Sequence, residues 1–193
     1  MRLVVLISGR GSNLEAVLNK FGTDPLSSIY VAAVVSDNPE AYGLEIAKSF
    51  SAPTAVVEKS KSESRTEYYK RLYQVVNEFS PDLVVLAGFM RVLTSDFISP
   101  FYPKIINIHP SLLPKYKGLA AQAQALEAGE KIAGCTVHVV TPEIDSGKIL
   151  GQKTVEVLAD DTVQSLSQRI LEQEHKLLSE VIEKIYSSEL ALT

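Results

Sequence analysis

Apolar positions along the chain fall into two kinds of run. Continuous blocks at 3–8 (LVVLIS), 30–35 (YVAAVV), 83–88 (LVVLAG) and 104–109 (KIINIH) have the length and density of strands covered on both faces. Between them, apolar residues recur at helical spacing. Ser12 or Asn13 is placed to cap a helix with Leu14, Val17 and Leu18 on one face. Residues 43–50 read as a second helix and PTAVVE, 53–58, as a short strand. The stretch 60–82 reads as a long amphipathic helix with Tyr69, Leu72, Tyr73 and Val76 on one side. Such alternation predicts βαβ units with right-handed crossovers. After Pro114 the rhythm changes: a helix within 120–130, strands at 134–140 and 153–159, then a closing helix from Thr162 to about Tyr186. The nearness of the two late strands predicts an antiparallel or mixed extension of the sheet. The expected fold class is therefore α/β, one domain over 1–193, with a doubly wound, mostly parallel sheet and helices on both faces.

Composition narrows the function classes. The net charge of -4 runs against a nucleic-acid binder, which needs a basic surface. One cysteine, Cys135, excludes an intramolecular disulfide framework and a cysteine-rich metal site, and its place in AGCTVHVV reads as a buried thiol. The three histidines are far apart and lack His-Glu-x-x-His spacing, so no metal is expected. The N-terminal MRLVVLIS reads as a first strand rather than a signal peptide, and no later run is long enough to span a bilayer. The expectation is a cytoplasmic protein acting on small molecules, as a monomer or homodimer, without nucleic-acid or membrane partners.

In open α/β sheets ligands bind beyond the carboxyl ends of the strands. Four such ends carry unusual residues: SGRGSN at 8–13, LAGFMRVLT at 86–94, NIHPSLLP at 107–114 and TPEIDSG at 141–147. In the first, Gly9 and Gly11 permit a tight strand-to-helix turn whose free N–H groups suit a phosphate, or form a plain turn. Leu14 stands where a dinucleotide fingerprint needs glycine, and no Gly-Lys-Ser/Thr follows. Asn107 and His109, two apart on a strand, should face the same way. An imidazole passes protons near neutral pH and an amide N–H₂ donates to a developing oxyanion, although a core histidine beside a turn asparagine has the same spelling. Asp145 is either a solvated turn residue or, beside His109, the group that favours an imidazolium. His138, alternating within a strand, and His175, on the last helix, read as structural.

Taken together, ISGRGSNL, PDLVVLAGFMRVL, NIHPSLLPKY, TVHVVTPEIDSG and QEH resemble, in order and spacing, the glycinamide ribonucleotide formyltransferases of purine synthesis. The resemblance covers essentially the whole chain. It implies a formyltransferase fold, 10-formyltetrahydrofolate as cosubstrate, and transfer of its formyl group to the amine of glycinamide ribonucleotide. It implies Asn107, His109 and Asp145 as the catalytic set. Gly11, Ser12 and Asn13 would hold the substrate phosphate, and Glu174 its amino end. Arg65, Phe89, Met90, Arg91, Val92 and Leu93, with Asn107, would contact the folate. The chain departs from the family in the loop after LLPKY, where it reads KGLAAQAQAL at 117–126 instead of Pro-Gly followed by one or more histidines, and at Lys148, which replaces a common proline after DSG.

Lys117-Gly118 is similar to related formyltransferases and to formyltetrahydrofolate deformylase. The deformylases carry an extra N-terminal domain, however, and the methionyl-tRNA enzyme a C-terminal nucleic-acid-binding one. A non-catalytic nucleotide-binding module would keep the glycine turn but leave Asn107, His109 and Asp145 unexplained.

Overall fold

The computed structural model describes residues 1–193, and its seven strands are hydrogen-bonded in the order β3-β2-β1-β4-β5-β6-β7. Its contacts gather into two compact units, Met1–Ile106 and Asn107–Thr193.

The first unit contains β1 (Arg2–Ile7), α1 (Ser12–Phe21), β2 (Tyr30–Ser36), α2 (Tyr42–Ser49), β3 (Thr54–Val56), α3 (Arg65–Glu78), β4 (Leu83–Leu86) and a single turn, α4 (Ser95–Ile98). β1 pairs in parallel with β2 and β4, and β2 with β3. Leu3 to Ile7 are all fully buried, so both faces of β1 are covered, as its unbroken apolar spelling requires. α3 starts with a capping box in which Ser64 accepts from the Glu67 N–H and Glu67 accepts from the Ser64 N–H. Its buried face is Tyr68, Tyr69, Leu72 and Val76. Tyr73, expected on that face, is half-buried with its ring 5.3 Å from that of Phe101.

The cap of α1 is a correction to the sequence reading. Gly11, not Ser12 or Asn13, occupies the N-cap with φ 80° and ψ 19°, and no side chain caps the helix. The first-turn N–H groups of α1 therefore have no side-chain acceptor at the cap. The glycine is required twice over, because a Cβ there would lie 2.5 Å from the Cα of Gly43. Gly11→Ala is expected to destabilise the protein by at least about 1–2 kcal/mol, the cost of a left-handed L-residue before the clash is counted. Denaturant midpoints check this, and an unchanged midpoint would contradict it.

β5 (Ile105–His109) leads into the second unit, which holds α5 (Ala121–Glu127), β6 (Ile132–Val139), β7 (Ile149–Glu156) and α6 (Val163–Tyr186). β6 and β7 are antiparallel, as the nearness of the late strands suggested. Their register slips at Val137/His138: Val137 pairs with Gly151 and His138 with Ile149, leaving Leu150 as an extra residue. α6 packs on this pair through Leu166, Ile170, Leu177, Leu178, Val181 and Ile182. Cys135 is fully buried in β6, which pushes its thiol up to about 12, helped by the charge of Glu174. No helix is long and apolar enough to cross a membrane.

Candidate active site

The turn after β5 is tied to the strands beside it. Ser111 Oγ donates to the Lys115 carbonyl at 2.6 Å. Thr136 Oγ1 donates to the Ser111 carbonyl at 2.6 Å and accepts from the Leu113 N–H at 3.1 Å. Gln152 Nε2 donates to the Leu113 carbonyl at 3.0 Å. The backbone beyond His109 is thus held at several points by β6 and β7, which limits the rearrangement open to the histidine.

Asn107, His109 and Asp145 come together, and a fourth residue joins them. His109 is 5% exposed. Its Nε2 lies 2.9 Å from the Tyr116 carbonyl oxygen, which can only accept, so this nitrogen carries hydrogen. Its Nδ1 faces Asp145 Oδ2 at 3.4 Å. Both ring nitrogens confront acceptors, and only the imidazolium supplies a donor to each. Asp145 Oδ2 also accepts from the Gly118 N–H at 2.8 Å, while Oδ1 faces His138 Nε2 at 3.4 Å. Burial raises the carboxyl pKa of Asp145. The His138 hydrogen bond, the Gly118 N–H and the charges of His109 and His138 outweigh it, so the net shift is downward.

His138, read from sequence as structural, is the residue that joins them, a contact that reading did not foresee. It is buried, and its Nδ1 lies 2.9 Å from the Val139 carbonyl, which fixes hydrogen on that nitrogen. Its Nε2 is 3.2 Å from Asn107 Nδ2 as well as near Asp145. In the neutral tautomer Nε2 accepts from the Asn107 amide. In the protonated ring it donates to Asp145, and the amide turns its oxygen inward.

Asp145 adopts φ 46°, a left-handed conformation that costs most L-residues energy but that aspartate tolerates better than most. Gly147 behind it approaches the end of β6 so closely that a Cβ would lie 1.8 Å from the Val139 carbonyl oxygen. Lys117, the departure noted in the sequence, donates through Nζ to Ser146 Oγ, and Gly118 holds Asp145. The two residues at the atypical position together hold the 145–146 turn. Glu174 is buried on the inner face of α6.

The remaining predicted residues lie in the first unit. Gly11, Ser12 and Asn13 form the start of α1 described above, with Asn13 buried. In the 89–93 segment Phe89 and Leu93 point into the core, whereas Met90 and Val92 are 69% and 49% exposed. The Met90 N–H donates to Ser8 Oγ at 2.8 Å. The Val92 carbonyl accepts from Tyr69 OH at 2.6 Å and from Arg65 Nη2 at 2.9 Å. Arg65, expected to reach the folate, thus lies against this segment. Arg91 turns to Asp37, with Nε 2.5 Å from Oδ2.

The Formyl transferase family profile matches residues 1–182. The Escherichia coli phosphoribosylglycinamide formyltransferase is 42% identical over 94% of this chain and 85% of its own length. The human trifunctional purine biosynthetic protein adenosine-3 is 41% identical over 99% of this chain, which spans only 19% of that protein. Among solved structures, the phosphoribosylglycinamide formyltransferase of Anaplasma phagocytophilum superposes with a TM-score of 0.90 at 47% identity, covering 97% of this chain and 88% of that one. Glycinamide ribonucleotide transformylase 1 of Symbiobacterium toebii gives 0.91 at 42% identity, with the same coverage. A family match over nearly all of its length and two such superpositions leave one assignment: the chain belongs to the formyl transferase family.

Proposed function

We propose that residues 1–193 act as one formyltransferase domain in the cytoplasm, moving the formyl group of 10-formyltetrahydrofolate onto the amine of glycinamide ribonucleotide in purine synthesis. The observation that carries the reading is His109 with an acceptor at each ring nitrogen, one of them Asp145. That arrangement holds a ring N–H beside a carboxylate in a buried site, a donor of the kind that stabilises an oxyanion.

The substrate amine attacks the formyl carbon, a C–N bond forms, and negative charge gathers on the formyl oxygen. The His109 Nε2–H and the Asn107 N–H₂ donate to it. The oxyanion competes with the Tyr116 carbonyl for the first donor and with His138 for the second, and as the charged acceptor it makes the stronger hydrogen bond. A proton leaves the amine, the bond from carbon to the folate nitrogen breaks, and that nitrogen takes up a proton. Asp145 holds the imidazolium and a water that relays these protons. Glu174 receives the amino end of the substrate. Arg65, Met90, Arg91 and Val92, with Phe89 and Leu93 beneath, present the folate surface.

The test is an absorbance assay with glycinamide ribonucleotide and 10-formyl-dideazafolate. Deformylation dependent on the ribonucleotide supports the proposal. Deformylation without it would indicate a hydrolase, and none at all would remove the reading. The substrate phosphate is expected at the N–H groups of Gly11, Ser12 and Asn13, where α1 begins with no side-chain cap. Crystals soaked with the ribonucleotide check this. A phosphate bound elsewhere, with this turn empty, would refute it.

A further inference from the structure

The ends of β2, β1 and β4 are laced together. Asn38 Nδ2 donates to the Ser8 carbonyl at 3.2 Å, and the Ser8 N–H donates to the Gly88 carbonyl at 3.1 Å. The Asp37 to Arg91 ion pair is part of the same lacing. β2 and β4 are both neighbours of β1, so the pair joins loops that β1 separates.

Asp37 is 8% exposed, and its Oδ1 is buried without a hydrogen-bond partner. The fully buried Tyr68 OH also lacks one, and the Arg91 guanidinium carbon stands 5.1 Å from the centre of the Tyr68 ring. Two buried polar atoms are thus left unsatisfied around one arginine. A buried carboxylate in that condition is weak evidence for stability, since an apolar residue of similar size often serves as well. What the pair does provide is placement. Met90 is fixed by Ser8 and Val92 by Tyr69 and Arg65. Asp37 fixes Arg91 between them, so three consecutive residues are held by three different parts of the unit. The outcome is a segment pinned at three successive residues that displays two exposed apolar side chains, Met90 and Val92.

We propose that Asp37 is a positioning residue for the formyl donor: through Arg91 it fixes the 90–92 strip against which the flat heterocycle of the donor rests. The inference rests on the proposed reading of 89–93 as the donor surface.

Asp37→Ala and the isosteric Asp37→Asn test it. Both are expected to raise KM for the formyl donor, about tenfold for alanine. KM for the ribonucleotide and kcat at saturating donor should stay within about twofold. Asp37→Glu should recover part of the loss. Arg91→Ala is the poorer test, because it strands a buried carboxylate. Hydrogen exchange supplies a readout independent of activity: amides of 90–93 should exchange faster in Asp37→Asn while those of β1 do not. Unchanged exchange at 90–93 would overturn the clamp even if the wild type proved inactive as a transferase. Equal rises in both KM values, or faster exchange throughout β1 and β2, would reduce Asp37 to a structural role and also overturn it. A clamp present by exchange in a protein without formyl transfer would count against the functional reading alone.

Discussion

His109→Ala is expected to lower turnover by about 10²- to 10⁴-fold, the combined loss of an oxyanion donor and of a proton path. The side chain is buried, and in the proposed reaction its Nε2–H is the charged donor, with Asn107 as the neutral one. Removing it also leaves Asp145 without one of its two imidazole neighbours. KM for either substrate should move only a few-fold, because the donor acts most strongly on charge that develops in the transition state. Steady-state kinetics on protein with a wild-type circular dichroism spectrum decide the matter. Near-normal turnover would end the mechanism, whatever became of the family assignment.

Asp145→Asn should cost about 10²- to 10³-fold in the same measurement. The carboxylate offers Oδ2 to His109 and the Gly118 N–H, and Oδ1 to His138. An amide has one accepting oxygen, so one of those sides must meet an N–H₂ group, and the negative charge that holds the imidazolium is gone. A pH signature should accompany the loss of rate. The Asp145 carboxyl is lowered in the fold despite burial, so it contributes stability at pH values above the ordinary carboxylate range. That contribution fades as pH falls through this range and below it. The melting temperatures of wild type and Asp145→Asn should therefore differ near neutrality and converge on acidification. A gap that widened in acid would show that the carboxylate is not stabilised by its neighbours.

Much of this was legible in the sequence because burial writes itself into spelling. β1 and β4, covered on both faces, are unbroken apolar runs, and α6 shows its inner face at helical spacing. Asn107 and His109 were legible as a pair because side chains two apart on a strand share a face. His138 was not. It follows a regular alternation on β6, and the slip opposite Leu150, which alters how that stretch meets β7, leaves no mark in the composition. The α1 cap failed for a different reason. Ser12 and Asn13 are both good caps, but the close approach of Gly43 allows only glycine at position 11, and with that glycine as the cap the helix starts at Ser12, earlier than either side chain would have placed it. The role of Lys117 was not legible either, because its partner, Ser146, lies 29 residues on, in a turn that holds the left-handed Asp145.

The division of the chain at Ile106 and Asn107 falls inside β5, one residue-step before the asparagine that opens the proposed catalytic set. Asn107, His109, His138 and Asp145 all follow that point, whereas the segments proposed to recognise phosphate and folate precede it. On the proposed reading, substitutions on the early side act on donor and phosphate recognition and leave the transferring groups in place. Excision cannot do the same. A gene cut at the boundary would halve a strand, and neither fragment would inherit an intact β5. A cut that spared this strand would have to fall before Ile105 or after His109.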